Sequence, residues 1–142
     1  MADGSEPLED EELVYRRIPV STNWYDPQNA QPFSLQAFRP RDGETGGLSL
    51  VRAKYKSPEE AARNNSGRAY WVAALSVGTI RALGMEVVRD PLRAHPLHGD
   101  DPSHVQIPQL MSANRRETEG MQLALAEIAS IIGRFPPLED LA

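Results

Sequence analysis

The sequence predicts an α/β (α+β) fold: a small mixed, twisted sheet of four to six strands, a short helix near 58–64 and a longer C-terminal helix near 113–132. Three stretches carry that prediction. Tyr70–Val77 (YWVAALSV) is apolar or small at nearly every position, which suits a central strand covered on both faces better than an alternating one. Ser57-Pro58-Glu59-Glu60 reads as a capping box with proline at the first helical position. Met121, Leu125, Ile128 and Ile132 recur at the spacing of one apolar helical face.

From the N-terminus, residues 1–12 hold Asp3, Glu6, Glu9, Asp10, Glu11 and Glu12 and no base, the pattern of an acidic disordered tail. The net charge of −5 sits there, because the rest of the chain carries one more base than acid. A single domain is expected over 13–135, with a short tail at 136–142. Leu13–Pro19 is the first strand; alternation puts Val14, Arg16 and Ile18 on one face and Leu13, Tyr15 and Arg17 on the other. Whichever face turns inward takes an arginine with it. Such an arginine must meet an anion or carboxylate, or lie on an edge strand with its stem on the core and its head in water. The edge-strand version is the expectation.

Ser21–Pro40 is a long connection rich in turn formers, and its Trp24, Tyr25, Phe33, Leu35 and Phe38 imply that it packs down as a lid or binding loop. A turn-rich link then leads to a second strand, Leu48–Tyr55, with Ser49, Val51, Ala53 and Tyr55 on one face. The short capped helix ends at Asn64–Gly67. After Tyr70–Val77, Gly78-Thr79 breaks the strand, Ile80–Leu83 makes about one helical turn, and Gly84 stops it. Met85–Arg89 resumes as a strand up to Asp90-Pro91. Leu92–Pro102 reads as a loop and Ser103–Ile107 as a strand stopped by Pro108. The last helix runs from about Ser112 to Ile132, with Gly120 as a point that can divide it.

Composition removes several function classes. With no cysteine there is no disulfide, thiolate nucleophile or thiolate metal site. No apolar window is long enough for a membrane span, and the N-terminus lacks the basic start and apolar stretch of a signal peptide, so a cytoplasmic protein is expected. Arg39 and Arg41 would suit a phosphate contact, but the acidic total and the lack of an aromatic stacking ladder argue against nucleic acid. His95, His98 and His104 cluster without the spacing of any metal motif, so no metal is expected. Ser49, His104 and Asp90 are the residue types of a nucleophilic triad, yet no serine has a G-x-S-x-G setting.

One arrangement is more specific: Tyr15-Arg16 on the first strand, Leu48-Ser49-Leu50 on the second, and SPEEAARN opening a helix just after. Over residues 13–64 this order resembles the RES-type NAD-degrading toxins, relatives of the ADP-ribosyltransferase fold. The resemblance implies that Arg16 binds a dinucleotide phosphate, that Ser49 shares its pocket, and that Phe38 and Arg39 belong to the aromatic and basic approach to the ligand. A guanidinium fork clamps phosphate, and a carboxylate orients or activates the group attacking the ribose. Where the family's helix bears its catalytic glutamate this chain has Asn64 after Arg63, leaving Glu59 and Glu60, one turn earlier, as the carboxylates that could substitute.

The function expected from these readings is that of a small non-enzymatic binding or accessory protein, without cofactor, acting through a protein partner. Its contact would be a groove between the 21–40 connection and the strand of Arg16, or the amphipathic C-terminal helix. A bacterial defence or toxin-type system is the setting that the resemblance implies. The alternative is an NAD-consuming enzyme, with NAD as its ligand.

Overall fold

A computed structural model describes residues 6–41, 44, 46–63, 67–95, 99–111 and 114–136. Its six-stranded sheet has the order β4-β7-β2-β1-β3-β8, built from β1 (Leu13–Pro19), β2 (Leu48–Arg52), β3 (Tyr70–Ser76), β4 (Val88–Arg89), β7 (His104–Ile107) and β8 (Ser130–Phe135). A separate two-stranded sheet pairs β5 (Leu92–His95) with β6 (Gly99–Asp101) in the stretch expected to be a loop. Among the described residues there are three α-helices, α1 (Pro58–Ala62), α2 (Val77–Ala82) and α3 (Arg115–Ile128), and two 3₁₀ turns, Leu35–Phe38 and Pro108–Met111. The α/β class is as the sequence predicts. Among the described residues, however, every strand pairing is antiparallel rather than mixed.

The longest pairing joins β1 to β3, in register from Leu13 opposite Ser76 to Pro19 opposite Tyr70. β1 therefore lies inside the sheet with β2 on its other side, and the edge-strand expectation is overturned. β3 is covered on both faces across Val72–Leu75, as its unbroken apolar run implies, but it is second from the edge rather than central.

Alternation sorts the sheet's two faces. Val14, Arg16 and Ile18 share one face with Leu48 and Leu50, Ala73 and Leu75, and Val105 and Ile107, and all of these are buried. The 21–40 connection closes over this side. Tyr25 meets the edge of Trp71 with ring centroids 4.9 Å apart, and Phe33 meets Phe38 at 5.6 Å. A 3₁₀ helix, Leu35–Phe38, buries Ala37 and Phe38, and α3 packs onto it with Leu125 and Ala126. The groove expected between this connection and Arg16 is thus filled by side chains. The opposite face is more open. There α1 lies over β1, β3 and β8 and buries Ala61 and Ala62.

Two boundaries move. α3 stops at Ile128, because Ala129 turns extended, and Ile131 and Ile132 belong to β8 instead of a last helical turn. β-branched residues favour that strand when a neighbour such as β3 offers its hydrogen bonds. Gly120 does not interrupt the helix. Of the expected Met85–Arg89 strand only Val88 and Arg89 pair, while Met85 and Val87 enter the core.

Residues 6–12 are no detached tail. Leu8 is buried in the core. The carboxylate of Glu12 receives two hydrogen bonds from Arg52, whose other side-chain hydrogen bonds go to the carbonyls of Glu6 and Pro7. An arginine with no exposed surface needs such acceptors, and the acidic segment supplies them.

Candidate functional site

Arg16 turns inward with Val14 and Ile18, and its guanidinium finds the carboxylate that burial demands. Nη1 donates to Glu44 Oε2 at 2.8 Å and to the Ser49 carbonyl at 3.0 Å. Nη2 donates to Glu44 Oε1 at 3.1 Å and to the Arg39 carbonyl at 3.1 Å, and Nε donates to the Ala37 carbonyl at 3.2 Å. All five N–H donors of the guanidinium are engaged.

Glu44 also accepts from the backbone N–H groups of Arg41 and Ser49. Burial pushes its carboxyl up, but the charge of Arg16, the Arg16 hydrogen bonds and the two backbone donors outweigh that and hold it below the ordinary carboxylate range. Beside it, burial and then repulsion from Arg16 bring Arg41 down to about 10.

The structure therefore brings Arg16, Arg39 and Ser49 together, with Phe38 in the same 3₁₀ turn. Arg39 and Ser49 meet Arg16 through their backbone carbonyls, not their side chains. Glu59 and Glu60 are elsewhere. Arg17 faces away from Arg16 along the strand and donates to the carbonyl of Arg63 at the end of α1, so the short helix lies on the other side of the sheet. Glu60 bonds back to the Ser57 backbone in the capping box. The Ser57 backbone N–H, which donates to the Glu60 carboxylate, and then the Ser57 side chain hold that carboxyl low. Glu59 lines a shallow cleft with Ala62, Arg63, Gly67, Arg68, Phe135 and Pro136. Asn64, where the family resemblance would place its glutamate, lies outside the described residues.

A second polar cluster sits on the more open face. β2 and β7 pair with Ser49 opposite Gln106 and Val51 opposite His104, so these four side chains share the face away from Leu50 and Val105. His104 Nε2 lies 3.0 Å from Ser49 Oγ, and Nδ1 lies 2.9 Å from the Asp90 carbonyl and 3.2 Å from Asp90 Oδ2. The backbone N–H of Asp90 donates to the His104 carbonyl at 3.0 Å, which ties the two residues together.

Of the three histidines, His98 lies outside the described residues and His104 is held in this cluster. Among the described residues no three His, Asp or Glu side chains converge as a metal site would need, and no helix is long and apolar enough to cross a membrane.

Sequence reasoning missed Glu44, although an inward arginine on β1 already required a carboxylate; only the turn that folds back over the strand reveals which one. It also missed Gln106, whose sole signal is its register opposite Ser49. Compared with known proteins, the chain matches no family model, no curated protein and no solved structure.

Proposed function

We propose that this chain is a small binding or accessory protein that acts through a protein partner, in the kind of bacterial defence or toxin-type system implied by its resemblance to the RES-type toxins. The observation that carries the reading is the state of Arg16. A guanidinium whose five donors are held by Glu44 and three carbonyls has none left for a dinucleotide phosphate. The two carboxylates that could have served chemistry at a ribose lie across the sheet from it. The NAD-consuming alternative would require Glu44 to leave a buried cation, which is strongly unfavourable.

Surface is what such a protein offers a partner. The apolar stripe of α3 packs on the core through Leu125, with Met121 and Ile128 against it, and is not available for docking. At the sheet's edges the situation differs. On β8, pairing passes from Ile131 opposite Ala73 to Gly133 opposite Val72, so Ile132 is the extra residue of a bulge and stands 46% exposed. Val88 on β4, at the other edge, is 40% exposed. Exposed β-branched residues on edge strands suit the apolar centre of a polar-rimmed interface.

The test is to recover the tagged protein from its native cells and, separately, to incubate it with NAD. A stoichiometric partner that is lost in Ile132→Asp or Val88→Asp supports the reading. Nicotinamide release by the wild-type protein would overturn it.

A further inference from the structure

The cluster on the open face has a use that partner binding does not absorb. We propose that Ser49, His104 and Asp90 act as nucleophile, base and orienting group, so that the Ser49 hydroxyl takes an acyl group from a small ester. The inference is independent of the partner reading.

Chemistry first requires the right tautomer. Nδ1 of His104 faces a backbone carbonyl at 2.9 Å, and a carbonyl oxygen only accepts, so the ring proton resides on Nδ1. Nε2 is then a lone pair, and at 3.0 Å from Ser49 Oγ it accepts the hydroxyl proton. The Asp90 carboxylate, 3.2 Å from Nδ1, stabilises the imidazolium formed when that proton transfers. These are the contacts by which a serine becomes nucleophilic, made here between adjacent strands instead of at a strand-to-helix elbow. That difference explains the absence of a G-x-S-x-G signal.

An acyl transfer also needs a donor for the carbonyl oxygen as it becomes negative. Gln106 is the cross-strand partner of Ser49, and among the described residues nothing hydrogen-bonds its side-chain amide. That amide lies close over Gly46: a Cβ there would come within 2.5 Å of Oε1 and 2.9 Å of Nε2. Glycine at 46 makes room for an amide beside the serine. Ser49 is itself partly exposed, so a small carbonyl compound has access.

In the first half-reaction Ser49 Oγ bonds to the carbonyl carbon and passes its proton to His104 Nε2. The ester C–O bond then breaks and the alcohol leaves with that proton. In the second, water gives a proton to Nε2 and its oxygen bonds to the acyl carbon; the bond between Ser49 Oγ and that carbon then breaks, Nε2 returns the proton to Oγ, and the carboxylic acid departs. No other reactant is needed.

The experiment is labelling of the full chain with a fluorophosphonate probe, which displaces fluoride to bond a nucleophilic serine, with the adduct mapped by peptide mass spectrometry. One adduct on Ser49 is expected, absent in Ser49→Ala and formed at least about 100-fold more slowly in His104→Gln. p-Nitrophenyl acetate should be turned over with the same dependence. No adduct on the folded wild-type protein, an adduct on another serine, or a rate unchanged in His104→Gln would each overturn the proposal. Mapping on the wild-type chain decides the matter even if a variant does not fold.

Discussion

Arg16 and Glu44 meet fork to fork, Nη1 to Oε2 at 2.8 Å and Nη2 to Oε1 at 3.1 Å, with side chains only 2% and 11% exposed. The pair joins the middle of the sheet to the turn that precedes β2. Through the carbonyls of Ala37 and Arg39 it also fastens the end of the 21–40 connection.

Breaking this pair from one side should be severe. Glu44→Ala leaves an uncompensated buried guanidinium and is expected to lose about 3–5 kcal/mol of unfolding free energy by urea titration. The double change Arg16→Met with Glu44→Leu should lose much less, because no lone charge remains. A double variant as unstable as the single one would show that the carbonyl contacts of Arg16, not its charge pairing, hold this region.

Acid should reveal the same carboxylate. Glu44 is held below the ordinary range near ~4.3, so between that value and its folded pKa the unfolded chain binds more protons than the folded one. Its contribution to stability is complete above that ordinary value and is lost as pH falls through the lowered one. Asp101 behaves likewise: burial raises it, but the Ser103 hydrogen bond and Lys56 outweigh that and hold it low. In Glu44→Gln the melting temperature should start lower at neutral pH and fall less between pH ~5 and ~3.

The N-terminal acids should prove structural as well as solubilising. Glu12→Gln weakens the carboxylate partner of a fully buried Arg52 and is expected to destabilise by on the order of 3 kcal/mol in chemical denaturation. Neutralising Glu9, which makes no side-chain contact with Arg52 in the described residues, should change stability by less than about 0.5 kcal/mol.

Gly47 should tolerate nothing larger. Its φ of +154° is one that side chains rarely adopt, and a Cβ would come within 2.6 Å of the Ile107 carbonyl oxygen and 2.8 Å of its carbon, backbone atoms that cannot swing aside. Gly47→Ala is expected to lower the melting temperature by several degrees, whereas Gly84→Ala, with open space around its Cβ position but φ +90°, should show the smaller penalty of a strained backbone alone.

Much of the fold is legible along the chain because it depends on local pattern. The SPEE cap forms as its residues imply, with Ser57 accepting from the Glu60 backbone and Glu60 reaching back. The alternation in LVYRRIP puts Arg16 with Val14 and Ile18, as burial confirms. The unbroken apolar run of β3 is covered on both sides. Elements failed where pairing decided between two locally acceptable states: Ile131 and Ile132 continue the helical period of α3 but become strand because β3 leaves an edge to bond. The acidic start looked like a solvated tail because Arg52, 40 residues away along the chain from Glu12, is invisible as its partner.

Sequence alone determined the capped start of α1, the covered run of β3 and the side of β1 that Arg16 shares with Val14 and Ile18, since all three follow from local residue pattern, and a guanidinium buried on that side needs a carboxylate because a bare buried charge is costly. Only the tertiary structure decided that Glu44 meets that need, that Glu59 and Glu60 fall on the far side of the sheet, and that Ser49 meets His104. Those outcomes rest on strand order and register, through which residues 28 and 55 positions apart become neighbours by hydrogen bonds that no local pattern encodes.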